Sequence, residues 1–216
     1  MAMVDTSDTT IYSFGFTSAS LRPELVGIMA EKFAELGSWE ETKAAILESN
    51  ALQCRSAASS NRLERELRPR LQTLTPRQLQ LVNQTTIDGR VALAWLAAVK
   101  RHAFLFDFAA EALRGKLDLH DPVLRASDYE RFIEEKSISH PEVAKLTEST
   151  LGKIRRTLLA MLRELGALQK GEDLGALCRP VIPPEVEDSM REDEPKWLAA
   201  FLVPDSQIKS VASLSE

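Results

Sequence analysis

Residues 91–113, VALAWLAAVKRHAFLFDFAAEAL, constrain the fold more than any other segment, because they lack proline and glycine and carry large apolar side chains on nearly every face of a helix. A helix that is apolar nearly all round either spans a membrane or lies at the centre of a helical domain. The longest uncharged run, 91–99, is far shorter than the roughly 20 residues that a membrane span needs. The basic triplet Lys100, Arg101 and His102 follows it. The segment therefore predicts a buried core helix.

The remaining composition is that of an ordinary globular chain, with 216 residues, 44% hydrophobic and 27% charged. This length allows a sizeable core. The start, MAMVDTSDTT, has no basic region and no apolar run, so no signal peptide is expected. The two cysteines, Cys54 and Cys178, are too few for a disulfide framework. Together these features predict a cytoplasmic protein with free thiols and no membrane contact.

The net charge of −5 is distributed unevenly along the chain. Residues 171–216 contain ten acids and four bases, so residues 1–170 sum to about +1. Within that part, 53–77 has six arginines against two glutamates, 145–170 has six bases against two glutamates, and 90–116 has five bases against two acids. Local patches, more than net charge, decide whether a phosphate backbone is attracted. The sequence is therefore compatible with a nucleic-acid ligand.

The segment 38–74 predicts a short helix, a turn and a longer helix with leucines on one side and bases on the other. Leucines at i, i+4, i+8 and i+11, starting from Leu63, form one apolar stripe. Pro69 lies inside the stripe and predicts a kink or a split near Arg68. The polar residues on the opposite face and at the leading end are Arg55, Ser59, Arg62 and Arg65.

The segment 128–165 has the same layout, with a long helix that Thr147 or Ser149 is expected to cap. Its outward polar residues are Ser149, Lys153, Arg156 and Arg163. Beyond it, 167–170 and 178–182 are expected to pair as a small hairpin, at the position of a wing in a winged helix.

A helix-turn-helix shares this layout and inserts the leading end of its second helix into the major groove. Outward bases are also typical of any amphipathic surface helix, so groove binding and a solvated face are both open interpretations. We divide the chain into four units. They are an N-terminal helical unit at 1–78, central core helices at 79–120, a winged-helix-like unit at 121–182, and an acidic tail at 183–216 whose apolar segment 197–203 is expected to dock on the body.

Motifs for catalysis are absent from the sequence. No phosphate-cradling glycine loop and no nucleophile elbow occurs among the nine glycines. His102, His120 and His140 have no cysteine or carboxylate at zinc-ligand spacing. We therefore expect no enzyme, with no catalytic residue, no metal and no cofactor, and favour a binding module.

Four blocks follow one another along the chain: YSFGFTSASLRPEL, LESNALQCRSAASSNRLERELRPRL, WLAAVKRHAFLFDFAAEALRGKL and ERFIEEKSISHPEVAKLTESTLGKIRRTLLAMLRELGAL. Together they cover roughly residues 12–182 and resemble the BrxA family of bacterial phage-exclusion (BREX) defence systems. This family has carried the label of an inner-membrane protein, which the absence of a spanning segment contradicts. The resemblance implies an all-α, NusB-like bundle with helix-turn-helix-like parts that binds double-stranded DNA and works with other BREX proteins.

Carried onto this chain, the resemblance makes the two polar faces candidate DNA contacts. Because basic faces lie on both sides of it, the basic end of the central helix is expected to join them in one positive surface. The candidate DNA-binding residues are Arg55, Ser59, Arg62, Arg65, Lys100, Arg101, Ser149, Lys153, Arg156 and Arg163. The leading hypothesis is a non-enzymatic DNA-binding component of a BREX system. One rival is a protein–protein adaptor within the defence complex, and another is an RNA-binding factor, suggested only by the NusB-like fold. The oligomeric state is left open.

Overall fold

The structure is a computed structural model that describes residues 10–209, and it confirms the predicted all-α fold with a small β element. The α-helices are α1 Pro23–Leu36, α2 Trp39–Glu48, α3 Ala57–Leu71, α4 Pro76–Gln84, α5 Ile87–Arg101, α6 Ala103–Asp107, α7 Arg114–Asp118, α8 Ala126–Ser139, α9 Pro141–Ala144, α10 Glu148–Glu164, α11 Pro184–Asp193 and α12 Asp205–Lys209. The 3-10 segments are Gly15–Ser18 and Pro195–Phe201, and a π-helix covers Phe108–Leu113. None of the helices in the described part is both long and apolar enough to cross a membrane.

Helix α5 forms the centre of the hydrophobic core, as the sequence predicts. Every residue from Ala92 to Val99 is at most 1% exposed. The helix contacts α1, α3, α4, α6 and the second 3-10 segment. The Trp95 indole donates its Nε1–H to the carbonyl of Ala200 at 3.0 Å. The buried indole is therefore both packed and hydrogen-bonded, as such side chains require.

The central segment is not one continuous helix, which corrects the prediction for 91–113. The backbone of His102 leaves the helical region, at φ −125° and ψ 93°, and separates α5 from α6. The His102 ring lies between two tertiary partners: Nε2 is 3.0 Å from the Glu66 carboxylate and Nδ1 is 3.2 Å from the carbonyl of Ser13. These contacts stabilise a break that no local sequence signal marks.

Helix α3 runs through Pro69, so of the two predicted alternatives the split near Arg68 is wrong, and the kink stays a prediction. Proline removes one helical hydrogen bond and crowds the preceding turn. Tertiary packing compensates, because Leu67 and Leu71 are fully buried on either side of it. Propensity is a weak prior that such packing overrides.

The small sheet has three antiparallel strands in the order β1-β3-β2: β1 Val123–Leu124, β2 Leu168–Gln169 and β3 Gly175–Leu177. The hairpin exists as predicted, but its second strand is Gly175–Leu177 and not 178–182. The sequence analysis missed β1, which pairs Val123 with Ala176. One strand lies before α8 and two lie after α10. The winged-helix-like unit at 121–182 stays a prediction.

The tail docks on the body, as its apolar segment predicts. Leu198, Ala200, Phe201 and Leu202 are at most 1% exposed. The acidic helix α11, which precedes this segment, contacts α4 and α5. The C-terminal part of the described chain is therefore integral to the core.

An N-terminal arm, residues 12–21, lies between α3 and α10. The buried Arg70 guanidinium donates to the carbonyls of Ala19 and Ser20 at 3.0 and 2.9 Å. Leu21 donates its backbone N–H to the Glu164 carboxylate at 2.9 Å, and Tyr12 donates its own to Glu142 at 2.7 Å. The first described segment is thus held by residues that lie 50 to 143 positions later in the chain.

Candidate nucleic-acid interface

Helix α3 presents arginines on its solvent side. Ser56 caps the helix, because its side chain accepts the Ser59 backbone N–H at 3.2 Å. Arg55, Arg62 and Arg65 are exposed. Among the described residues, none of these three arginines has a carboxylate at ion-pair distance. Their charges are therefore available to an external anion.

Ser59 has a different environment from the arginines beside it. It is half-buried, and its hydroxyl accepts a hydrogen bond from the Ser56 hydroxyl at 3.0 Å. Ser59 is thus part of the cap that starts the helix. The connection from α2 to α3, residues 49–56, is longer than the 3–4 residues of a tight helix-turn-helix.

Helix α10 carries the second face. Of the two predicted caps, Thr147 is the one used, accepting the Thr150 N–H at 3.3 Å. Ser149, Lys153 and Arg156 are spaced i, i+4 and i+7, so they form one stripe. All three are exposed, and no carboxylate within the described part of the chain pairs with either base. The opposite side of the helix is buried, at residues Ile154, Leu158, Met161 and Leu162.

Helix α8 braces the first half of α10. The Tyr129 hydroxyl donates to the carbonyl of Leu151 at 3.2 Å, and the Arg155 guanidinium lies 5.9 Å from the Tyr129 ring centre. Burial raises the pKa of Tyr129 to about 12, and the nearby Arg155 charge opposes that shift only partly. The phenol therefore stays protonated and remains a donor at physiological pH.

Arg163 links α10 to the hairpin. Its guanidinium donates to the carbonyl of Leu174 at 3.1 Å, in the loop that joins β2 to β3. Arg163 is exposed, and it has no carboxylate partner among the described residues. It positions the hairpin relative to the basic stripe as well as adding charge.

Lys100 does not lie on the predicted positive surface. Its ammonium is 2.6 Å from the Asp193 carboxylate of α11, and the Lys100 side chain is only 7% exposed. It also donates to the carbonyl of Thr73 at 3.1 Å and to the side-chain oxygen of Gln78 at 3.0 Å. Lys100 thus anchors the acidic tail. Its neighbour Arg101 is exposed, and no carboxylate in residues 10–209 pairs with it.

A buried ion cluster behind the basic face fixes α3 against α5. Glu66 accepts from Arg70 at 2.8 Å and lies 3.0 Å from His102 Nε2. Burial alone would raise the pKa of Glu66, but the His102 hydrogen bond and the Arg70 charge outweigh it and lower that pKa. Arg70 is therefore structural, and its neighbour Arg68 pairs with Glu64 at 2.6 Å.

Three bases on or next to α10 were not selected from the sequence. Lys145 and Lys170 are exposed, and Arg155 is half-buried. The described residues include no carboxylate partner for any of the three. The signal was present, because all of them lie within the basic window 145–170. The pattern could not separate them from bases that form ion pairs.

No group of histidine, cysteine and carboxylate side chains in the described chain could hold a metal ion. The selected outward bases of α3 and α10 have no carboxylate at ion-pair distance in the described chain, although Glu148 is exposed in the first turn of α10. Such surfaces can bind an anionic polymer, and they hold no nucleophile–base pair at hydrogen-bond distance.

Comparison with known proteins gives a family and two relatives. The BrxA family model matches residues 10–194. A protein of Paramagnetospirillum magneticum named BREX protein BrxA is 24% identical over 174 residues, which are 81% of this chain and 85% of the relative. A crystal structure of an uncharacterized protein from Magnetospirillum magneticum matches with a TM-score of 0.76 and 23% identity, over 89% of this chain and 98% of that one. This likeness shows the fold alone. Because the family model covers most of the sequence, the chain belongs to the BrxA family.

Proposed function

We propose that this BrxA-family protein is a double-stranded-DNA-binding, non-enzymatic component of a BREX phage-defence system. Family membership, together with a relative named BREX protein BrxA, supports the place in such a system. One observation carries the DNA-binding part. The cations of α3 and α10 that point outward lack acidic partners among the described residues, whereas many bases elsewhere form ion pairs.

The stripe on α10 suits a phosphate backbone. Lys153 and Arg156 lie one turn apart and point to solvent, so each could neutralise one phosphate and release its counterions. Glu148 occupies the first turn of this helix and would repel an anion there. We therefore expect the contacts of α10 to come from its second and third turns.

Sequence preference should be weak. Phosphate contacts fix register and orientation without reading bases. The amide of Asn61, one of few amides near the first face, donates its N–H to the carbonyl of Ala57 at 2.9 Å, which reduces its capacity to read a base edge. A DNA-binding role also requires a cytoplasmic location, as the sequence predicts.

The test is a mobility shift on duplex DNA across a salt series, with the double variant Lys153→Glu/Arg156→Glu. Removing two phosphate contacts should lower the affinity at least about tenfold and reduce the slope of log K against log salt by about 2. The control is Lys32→Glu/Lys196→Glu, which makes the same change in net charge at exposed bases far from both faces in sequence.

Three outcomes would refute the proposal. Binding absent at low salt would favour the protein–protein adaptor, whose basic faces meet acidic partner surfaces. An equal loss in the control variant would show only a response to net charge. Duplex RNA that displaces duplex DNA at equal concentration would favour the RNA-binding factor.

A further inference from the structure

The leading end of α3 borders a cavity of about 300 Å³ between the end of α2 and the start of α3. Its lining includes Arg55, Ser56, Ala57, Ser60 and Asn61. Its volume is several times the ~30 Å³ share of one water molecule. No acidic residue is among the described residues that line it, and the first turn of α3 contains none. Among the described residues that line the cavity, Arg55 is the one that carries a charge.

Ser60 is the unexpected residue of this cavity. It is 2% exposed, yet its hydroxyl has no hydrogen-bond partner among the described residues. Buried hydroxyls in native proteins are nearly always hydrogen-bonded, and serine in a helix usually donates to the carbonyl four residues back. Ser60 lines the cavity beside the opening turn of α3. It is an unused donor at the positive end of a helix.

The backbone adds further donors at the same place. The N–H groups of Ala57 and Ala58 are in the first turn, where no helical acceptor exists, and no other acceptor for them occurs within residues 10–209. The side chain of Asn50 accepts the Cys54 N–H and donates to the Cys54 carbonyl, both at 3.1 Å, which holds the loop before the helix. The donors are therefore pre-positioned.

We propose that this cavity binds a phosphate group, with the Arg55 guanidinium, the Ala57 N–H and the Ser60 hydroxyl as its donors. A helix N-terminus favours an anion through its dipole and its free N–H groups. The source that fits the proposed function, on which this inference rests, is a backbone phosphodiester of duplex DNA. Free inorganic phosphate offers the same chemistry, and the experiment separates the two.

The first measurement uses the full chain without DNA. Inorganic phosphate is titrated at constant ionic strength, balanced with chloride, while the amide signals of residues 57, 58 and 60 are followed by NMR. We expect a saturable shift of these signals. Ser60→Ala should weaken phosphate binding about fivefold and Arg55→Gln about tenfold. Arg62→Gln is the matched control, because Arg62 lies on the same helix but does not line the cavity.

The second measurement is the affinity of the same variants for duplex DNA. Ser60→Ala should weaken it about fivefold, while the melting temperature is unchanged or raised because the variant removes an unpaired buried hydroxyl. A fall in melting temperature would contradict the unpaired state of Ser60.

The two measurements distinguish this inference from the proposed function. Saturable shifts with DNA binding unchanged by Ser60→Ala would overturn the DNA source in favour of free phosphate. If phosphate shifts none of these amide signals while Lys153→Glu/Arg156→Glu still abolishes DNA binding, phosphate binding in the cavity is refuted and the proposed function is left intact. Saturable shifts in a protein that binds no DNA would overturn both the DNA source and the proposed function.

Discussion

Lys100 and Arg101 are adjacent bases at the end of α5, and the structure predicts opposite effects for their replacement. Lys100→Met removes the partner of Asp193, which is only 20% exposed, and leaves the Gln78 side-chain oxygen without its lysine donor. Breaking a buried ion pair costs about 3–5 kcal/mol, and the partial exposure of Asp193 favours the lower end, about 3 kcal/mol. For a chain of this size that corresponds to a fall in melting temperature of roughly 6–12 °C.

Arg101→Met is the matched control, because Arg101 is exposed and has no carboxylate partner in the described chain. Its effect on the free energy of unfolding should stay within about 0.5 kcal/mol. The assay is urea unfolding followed by tryptophan fluorescence, with Trp197 close to Lys100 as a local reporter. DNA affinity, measured at a temperature where both variants are folded, should be unchanged for Lys100→Met and reduced for Arg101→Met.

The double variant Lys100→Met/Asp193→Asn tests the ion pair itself. Since neither charge is left alone, it should be more stable than the sum of the single changes, by about 2 kcal/mol. The reasoning fails if Lys100→Met costs under about 0.5 kcal/mol and weakens DNA binding. That result would indicate that Lys100 contacts DNA.

Two further changes test the elements behind the faces. The Glu66→Gln variant should be less stable than the wild type at pH 7. The lowered pKa of Glu66 stabilises the wild-type fold above the ordinary carboxyl pKa of 4.5, and this contribution is lost as the pH falls and the carboxylate is protonated. The variant should therefore lose less stability than the wild type below pH 4.5. Urea unfolding at several pH values measures this, and equal slopes in both proteins would contradict it. Gly175→Ala should destabilise the fold by about 2 kcal/mol. Gly175 has φ +139°, and an added Cβ would lie 2.4 Å from the carbonyl oxygen of Gln169. A melting temperature equal to that of the wild type would refute this strain.

The long amphipathic helices could be predicted from the sequence because the residues that they bury are the apolar residues at helical spacing. The apolar stripes of α3 and α10 are buried where the spacing of leucines placed them, as at Leu67 and Leu158. The core segment 91–99 and the docking tail were predicted for the same reason. Hydrophobic period is a property of the local chain, so it can be read without knowing the fold.

Helix breaks could not be predicted in the same way. Local rules place a kink or a split at Pro69 and no break at His102, whereas α3 continues through Pro69 and α5 ends before His102. Each depends on partners distant in sequence: the core around Leu71, and Glu66 with Ser13 around the histidine. Strand β1 was missed because a strand of two residues is too short to show an alternation of apolar and polar residues.

The candidate site was predicted only as a set of outward bases. Lys100 and Arg101 are equivalent by pattern, and only the position of Asp193 separates them. The unpaired hydroxyl of Ser60 depends on a rotamer and on the loop before α3, neither of which a sequence pattern contains.

The arm between α3 and α10 has a consequence for how the chain is made. Leu21 leaves the ribosome well before its partner Glu164, which lies 143 residues later in the chain. At about 5–20 residues per second, the arm waits on the order of ten seconds for that carboxylate. During this interval Phe16, which is buried in the finished fold, lacks the native contacts that its 3-10 segment makes with α10. Docking of the arm should therefore be possible only after α10 has been synthesised, and a nascent chain stalled before α10 should bind holdase chaperones through residues 12–21.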